Sequence, residues 1–230
     1  IRNFNIGEPS DTASIQVLQT YIKKNKVMLE EILNDLKASG NPPIVIESAD
    51  NSGDKQYIYY LQRDFTNAID IGRKTTAMKE ADEQSFQLLG LCYNAIADYK
   101  SADKLYKDAL AKFPKSGLLH NDYGEMLMTS KNESAAIQQW EQGIATDPDI
   151  SGNYYNAANY YAQKENILWS ILYAEIFCNM ESYSKRTAAT KALFVKQYTK
   201  LFSNPDLLSG YIKSGSAFEK AVASELYNLK

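Results

Sequence analysis

The sequence predicts an all-α protein in which pairs of helices stack into a solenoid. The main observation is a repeat, because identical or similar residues recur 34 positions apart in the middle of the chain. The matched pairs are Gly90 and Gly124, Ala102 and Ala136, Tyr106 and Trp140, and Pro114 and Pro148. Within each repeat the apolar residues recur every three or four positions, which is typical of helices with one buried face. Proline closes each of these two central repeats, where it ends a helix.

The N-terminal part, residues 1–48, is predicted to be a helix followed by a linker. Apolar residues keep a helical period from Thr12 to Ser39, and Asp11 can cap the first turn. The same spacing fits heptads with Asn25 on the seam, which would suit a weak coiled-coil homodimer. A helix packed on the first repeat is the interpretation we favour, because only about three heptads are present.

The repeat array is predicted to span residues 49–184 in four units. The ranges are 49–82, 83–116, 117–150 and 151–184. The two central units keep the pattern, whereas the outer units are degenerate. In the first unit, Gly72 replaces the aromatic residue of the second helix. In the last unit, Ala174 stands where a large residue is expected, and Phe177 stands where a small one is expected. Atypical end units are common in repeat proteins, because one of their faces meets solvent or a cap.

The C-terminal part, residues 185–230, is predicted to be a helical pair that caps the array. The helices are expected from Ser184 to Phe202 and from Asp206 to Leu229. The apolar residues expected to seal the last repeat are Ala188, Ala192, Phe194, Val195 and Leu201. The basic residues of the same helix are Lys185, Arg186, Lys191, Lys196 and Lys200. They form either a patch for anionic groups or a solvated helix face, and the solvated face is the commoner case.

Charge and hydropathy exclude several classes of protein. The net charge is −3, so no general attraction to nucleic acid is expected. The longest nearly apolar run, residues 167–178, is too short to cross a membrane and contains Ser170 and Glu175. The chain begins with Ile1 rather than Met, which favours an exported protein, periplasmic or associated with the cell surface, over a cytoplasmic one.

Catalytic and metal-binding patterns are absent from the sequence. No phosphate-binding glycine loop, nucleophile elbow or HExxH motif occurs, and the single histidine, His120, excludes sites that need two imidazoles. We expect His120 to be a core residue. Cys92 and Cys178 are expected to be buried free thiols. The sequence therefore predicts a protein that is not an enzyme and needs no cofactor.

The central repeat resembles the tetratricopeptide repeat (TPR), and the chain resembles bacterial TPR proteins in particular. The matching residues are Phe86, Leu89, Gly90, Tyr93, Ala102, Tyr106, Ala109 and Pro114. The next unit keeps Gly124, Ala136, Trp140 and Pro148. This resemblance implies a right-handed α-solenoid whose first helices line a concave groove. In that family the groove takes an extended peptide or a partner helix.

The resemblance also implies which residues face the groove, since the family uses fixed positions of each first helix. The candidate ligand-binding residues are Gln84, Gln87, Leu91, Asn94, Asn121, Glu125, Met128, Tyr155 and Asn159. Their amides can bond a peptide backbone as donors and as acceptors. No Lys or Arg is among them, so the carboxylate clamp of some family members is not expected. The predicted function is a protein-interaction module or scaffold that binds a peptide or protein; the alternative is a structural protein that dimerises through its N-terminal helix.

Overall fold

In the computed structural model, which describes residues 52–228, eleven α-helices follow one another and no strand lies within that range. The predicted N-terminal helix, its heptads and most of the linker lie outside the described residues. The helices are α1 Ser52–Leu61, α2 Phe65–Thr76, α3 Glu83–Ala95, α4 Tyr99–Lys112, α5 Gly117–Thr129, α6 Glu133–Thr146, α7 Ser151–Gln163, α8 Ile167–Met180, α9 Lys185–Ser203, α10 Pro205–Ser214 and α11 Ala217–Asn228. The all-α prediction is confirmed over this range. No described helix has the length and apolarity needed to cross a membrane.

The helices alternate between two layers. From α3 onward the first helix of each pair begins every 34 residues, at Glu83, Gly117, Ser151 and Lys185, so α9 occupies the first-helix place of a fifth unit. Each first helix contacts its own partner and also the first helices of the neighbouring pairs. The first helices α1, α3, α5, α7 and α9 therefore form a continuous inner layer, and the second helices pack along its outer side.

Small residues allow the two helices of a central pair to approach closely. A Cβ atom added to Gly90 would lie 2.2 Å from the hydroxyl oxygen of Tyr106, and one added to Gly124 would lie 2.2 Å from Nε1 of Trp140. Ala102 and Ala136 are completely buried at the same crossings. The prediction that glycine and alanine mark the helix crossings is confirmed.

The outer pairs solve the same packing problem with different residue sizes. In the first pair the large residue is Gln56, which lies 34 positions before Gly90, and it packs on Gly72. A Cβ atom on Gly72 would lie 2.4 Å from Nε2 of Gln56. In the last pair Ala158 and Ala174 are both fully buried, and Phe177 supplies the bulk one turn later. In the degenerate units, a smaller side chain on one helix is therefore offset by a larger one nearby, as close packing requires.

The turn within each pair uses the same backbone conformation. The non-glycine residues with positive φ are Arg63 (63°), Ala97 (57°), Lys131 (68°) and Glu165 (58°), and they are spaced by 34 residues. At the second of these turns the amide of Asp98 donates to the carbonyl of Tyr93 at 3.0 Å, which closes the end of α3. This left-handed conformation reverses the chain into the second helix, although it disfavours residues that carry a Cβ atom.

Replacing Ala97 with glycine is expected to stabilise the protein. The substitution removes the steric cost of the left-handed conformation and should raise the free energy of unfolding by about 0.5–1 kcal/mol. The matched control is Ala192→Gly in the exposed middle of α9, which should lower it by about 1 kcal/mol. Urea denaturation of both variants measures the two effects, and a loss of stability for Ala97→Gly would contradict the assigned turn conformation.

The C-terminal part differs from the prediction in two respects. The second predicted helix is broken at Gly215, and its second half starts with a reciprocal cap in which the Ser216 amide donates to Glu219 Oε2 at 2.8 Å and the Glu219 amide donates to Ser216 Oγ at 3.2 Å. In α9, the predicted sealing residues Ala188, Ala192 and Val195 face solvent. The buried side of α9 is set instead by Thr187, Thr190, Gln197 and Leu201.

A second apolar cluster holds this end of the chain together. Ile167 and Ile171 of α8 pack with Leu201 of α9, Leu208 of α10 and Ala223 of α11. All five side chains are nearly or fully buried. The sealing of the last pair therefore comes from α10 and α11 together with the C-terminal half of α9.

Candidate binding groove

All nine predicted groove residues lie on the inner layer, on α3, α5 and α7. The exposed ones are Gln84, Leu91, Glu125 and Asn159, and the half-buried ones are Gln87, Asn94, Asn121, Met128 and Tyr155. Six of them line two cavities, Asn121 belongs to the wall between these cavities, and Asn94 and Tyr155 lie outside both the cavities and the wall. Each group has a different chemistry.

The first cavity lies between α1, α3 and α5 and has a volume of about 550 Å³. It contains three of the predicted residues, Gln84, Gln87 and Leu91. The rest of its lining includes Gln56, Tyr57, Asp82, Ser85, Leu88 and Asp122. Amides and carboxylates thus face aromatic and aliphatic walls in one site.

The second cavity lies between α5, α6 and α7 and has a volume of about 280 Å³. It contains the predicted residues Glu125, Met128 and Asn159. The rest of its lining is Thr129, Trp140, Asn156, Tyr160 and Gln163. This site combines a flexible thioether and aromatic surface with amides and one carboxylate.

The wall between the cavities is a hydrogen-bonded network that joins three repeats. Gln87 Nε2 of α3 donates to Asp122 Oδ2 of α5 at 2.7 Å. Asn121 Nδ2 donates to Asp122 Oδ1 and to Glu125 Oε1, both at 3.1 Å. Asn156 Nδ2 of α7 donates to Asn121 Oδ1 and to Glu125 Oε1, both at 3.0 Å. Several amides predicted to bind a ligand are therefore partly engaged with the neighbouring repeat.

Asp122 is the most buried charge of the network. Burial raises the pKa of its carboxyl group, while the hydrogen bonds from Gln87 and Asn121 oppose that rise. Both donors are neutral amides, and neither cavity has a Lys or Arg side chain in its described lining. The groove is therefore acidic and rich in hydrogen-bond acceptors.

Tyr155, a predicted aromatic contact, is covered on one side. The guanidinium carbon of Arg186 lies 5.2 Å from the centre of its ring, and the ring of Phe177 lies 5.3 Å away. Arg186 is fixed by Glu181, whose Oε2 accepts from Nη2 at 2.5 Å. Arg186 therefore packs over Tyr155 at the α9 end of the groove, although it was expected to form part of a solvated basic face. Neither cavity includes Tyr155.

Asn94 also differs from a simple contact residue. Its Oδ1 atom is buried and has no hydrogen-bond partner in the described part of the chain, and the same is true of the hydroxyl group of Tyr106. Burial raises the pKa of Tyr106 far above its usual range. The Asn94 side chain opposes this rise, so the two buried atoms interact only weakly with each other. Asn94 lines neither cavity.

The single histidine and the two cysteines lie outside both cavities. His120 is buried, as predicted, and its Nδ1 atom lies 2.9 Å from Gln139 Oε1. Cys92 is buried as predicted, whereas Cys178 is only half-buried because it lies on the partly exposed side of α8; both are free thiols. Among residues 52–228 no group of His, Cys, Asp and Glu side chains could hold a metal ion.

Known structures share this arrangement of helices. YrrB, described as a TPR protein with an unusual peptide-binding site, aligns with 61% of this chain and 73% of its own at 18% identity and a TM-score of 0.50. The crystal structure of MamA aligns with 71% of this chain and 99% of its own at 18% identity and a TM-score of 0.51. The chain has the TPR fold.

A third TPR-fold match comes from a larger assembly. It is a chain in the structure of Naa15/Naa10 bound to HypK-THB, with 16% identity over 71% of this chain and a TM-score of 0.52. The alignment spans only 24% of that longer chain. No model of a known protein family matches the sequence, and no curated protein matches it. At these identities the matches establish the fold alone.

Asp122 and Asn156 were not predicted from the sequence, although they occupy the same position of two TPR units. Each is the sixth residue of its unit, one position after a predicted groove residue. On a helix, the sixth residue lies on the same face as the second and the ninth, which were both predicted. This spacing could have identified Asp122 and Asn156 as groove residues from the sequence. Gln56 gave no such signal, because its unit is degenerate.

Proposed function

We propose that this chain is a non-enzymatic protein-interaction module that binds an extended segment of a partner in the concave groove. The observation that carries the proposal is the pair of cavities on the inner layer, one on either side of a network that fixes α3, α5 and α7 relative to one another. Such a preformed surface offers pockets for side chains and amides for a peptide backbone. The TPR fold supports this reading, since stacked repeats create extended concave binding surfaces.

The groove residues best suited to test this are those that do not join the repeats. Gln84 and Leu91 are exposed in the first cavity, while Asn159 and Gln163 are exposed in the second. Asn159 Nδ2 donates only within its own helix, to the carbonyl of Tyr155 at 2.7 Å. Alanine at these positions should therefore leave the fold intact.

The test is a peptide-display selection on the full chain, followed by titration of the selected peptides against variants. The quadruple variant Gln84→Ala/Leu91→Ala/Asn159→Ala/Gln163→Ala should bind them about tenfold more weakly or worse. The control is Gln138→Ala/Gln142→Ala, which removes two exposed amides from α6 on the outer layer. It should stay within about twofold of the wild type. Equal affinities for the quadruple variant and the wild type would place binding outside the groove.

A further inference from the structure

The first cavity contains hydrogen-bond acceptors that have no donor, or fewer donors than they can bond, among the described residues. Gln56 is completely buried in its wall, and the Oε1 atom of this residue has no hydrogen-bond partner in the described part of the chain. A buried amide oxygen without a donor costs free energy unless a ligand supplies one. Gln56 lies on α1, at one side of the cavity.

The α5 side of the cavity holds a carboxylate, Asp122, whose described hydrogen-bond donors are neutral. Each oxygen of Asp122 accepts one hydrogen bond, from Gln87 or from Asn121, and each can accept a second. Asp82 adds a second carboxylate, whose pKa is lowered by its hydrogen bonds from Ser85. The described lining contains no Lys, Arg or His, and the nearby Lys112 acts on Asp82 and not on Asp122.

The rest of the wall suits the stem of a long side chain. Tyr57 and Leu91 are exposed at the cavity, and Leu88 is half-buried beside them. Aliphatic stems of basic side chains pack on such apolar surface while the charged head reaches polar groups. A volume of about 550 Å³ leaves room for the stem and the head.

We propose that the first cavity binds the guanidinium group of an arginine side chain in the partner segment. A guanidinium carries five donors in one plane, and the acceptors here are spread over three helices, with Gln56 on α1, Gln84 on α3 and Asp122 on α5. Its charge compensates the Asp122 carboxylate, and its donors reach Gln56 Oε1. The inference rests on the proposed function and names the residue class that the groove selects.

The experiment titrates the ¹⁵N-labelled full chain with N-acetyl-arginine methylamide and with its neutral counterpart, N-acetyl-citrulline methylamide. The arginine probe should shift the side-chain amide signals of Gln56, Gln84 and Gln87, and the citrulline probe should bind about fivefold more weakly or worse. Equal affinities, or shifts confined to other residues, would overturn the inference. So would an arginine probe that does not bind. This comparison needs no variant.

A variant pair adds a second test. Asp122→Asn should reduce arginine binding to the citrulline level, because it removes the charge that the guanidinium group compensates. The new amide group can accept from only one of Gln87 and Asn121, so a slightly lower melting temperature is expected and the titration is run well below it. The matched control, Asp108→Asn on α4, makes the same chemical change at an exposed position outside the groove and should bind the arginine probe as the wild type does. Undiminished binding by Asp122→Asn would overturn the inference. Selected groove peptides that bind without arginine would overturn it and leave the proposed function standing.

Discussion

Replacing Trp140 with alanine is expected to lower the free energy of unfolding by about 3–5 kcal/mol. The indole is 2% exposed and fills the crossing of α5 and α6, where Nε1 donates to the carbonyl of Asn121 at 3.2 Å. Alanine leaves a cavity that the glycine on the facing helix cannot fill. Urea denaturation, followed by circular dichroism, measures the loss. A loss of less than about 1 kcal/mol would show that this crossing is not close-packed.

The same crossing provides a test of direct contact. Gly124→Ala in the wild type should cost about 1–3 kcal/mol, because the new methyl group would lie 2.2 Å from Trp140 Nε1. In the Trp140→Ala background the same change should be neutral or should stabilise by up to about 1 kcal/mol, since alanine favours helix more than glycine does. Gly210→Ala is the control, because no atom lies within 4 Å of an added Cβ, and it should stabilise in both backgrounds. Additive effects of Gly124→Ala and Trp140→Ala would contradict the contact.

The fold could be predicted because its determinants are local and recur at a fixed interval. Gly90 and Gly124 mark helix crossings where only a hydrogen atom fits, and Pro114 and Pro148 separate consecutive pairs. Each of these residues has a meaning that does not depend on distant neighbours. The turn residues were not predicted, since Arg63, Ala97, Lys131 and Glu165 share a backbone conformation but no side-chain chemistry.

The groove could be predicted only as a set of positions on the first helices. Whether an amide is available depends on the neighbouring repeat, and a pattern read within one repeat does not contain that information. Asn121 illustrates this, because a glycine at position 152 lets it approach α7, where Asn156 donates to it. Arg186 is a second example, since its place over Tyr155 follows from the docking of α9 and not from the charge pattern of that helix.

Of the residues predicted to seal the last repeat, Phe194 and Leu201 lie in the second apolar cluster, whereas Ala188, Ala192 and Val195 are exposed. Val195 satisfies the apolar pattern of α9, yet it is 61% exposed. Leu208 lies in α10 and is completely buried among Ile167, Ile171 and Leu201. The helical period alone cannot decide which side of a terminal helix is covered when two further helices pack on it.

Leu208→Ala is accordingly expected to lower the free energy of unfolding by about 2–4 kcal/mol, because it removes the side chain that joins α10 to α8 and α9. Val195→Ala is the control and should stay within about 0.5 kcal/mol of the wild type. Stability in stacked repeats is close to a sum of neighbouring contacts, so the damage should stay at this end. Hydrogen exchange should therefore show lost protection in α8, α10 and α11, with α3 to α6 retained. Equal losses for both variants would mean that the exposed side of α9 seals the array instead, and uniform deprotection along the chain would mean that the cap and the groove unfold as one unit.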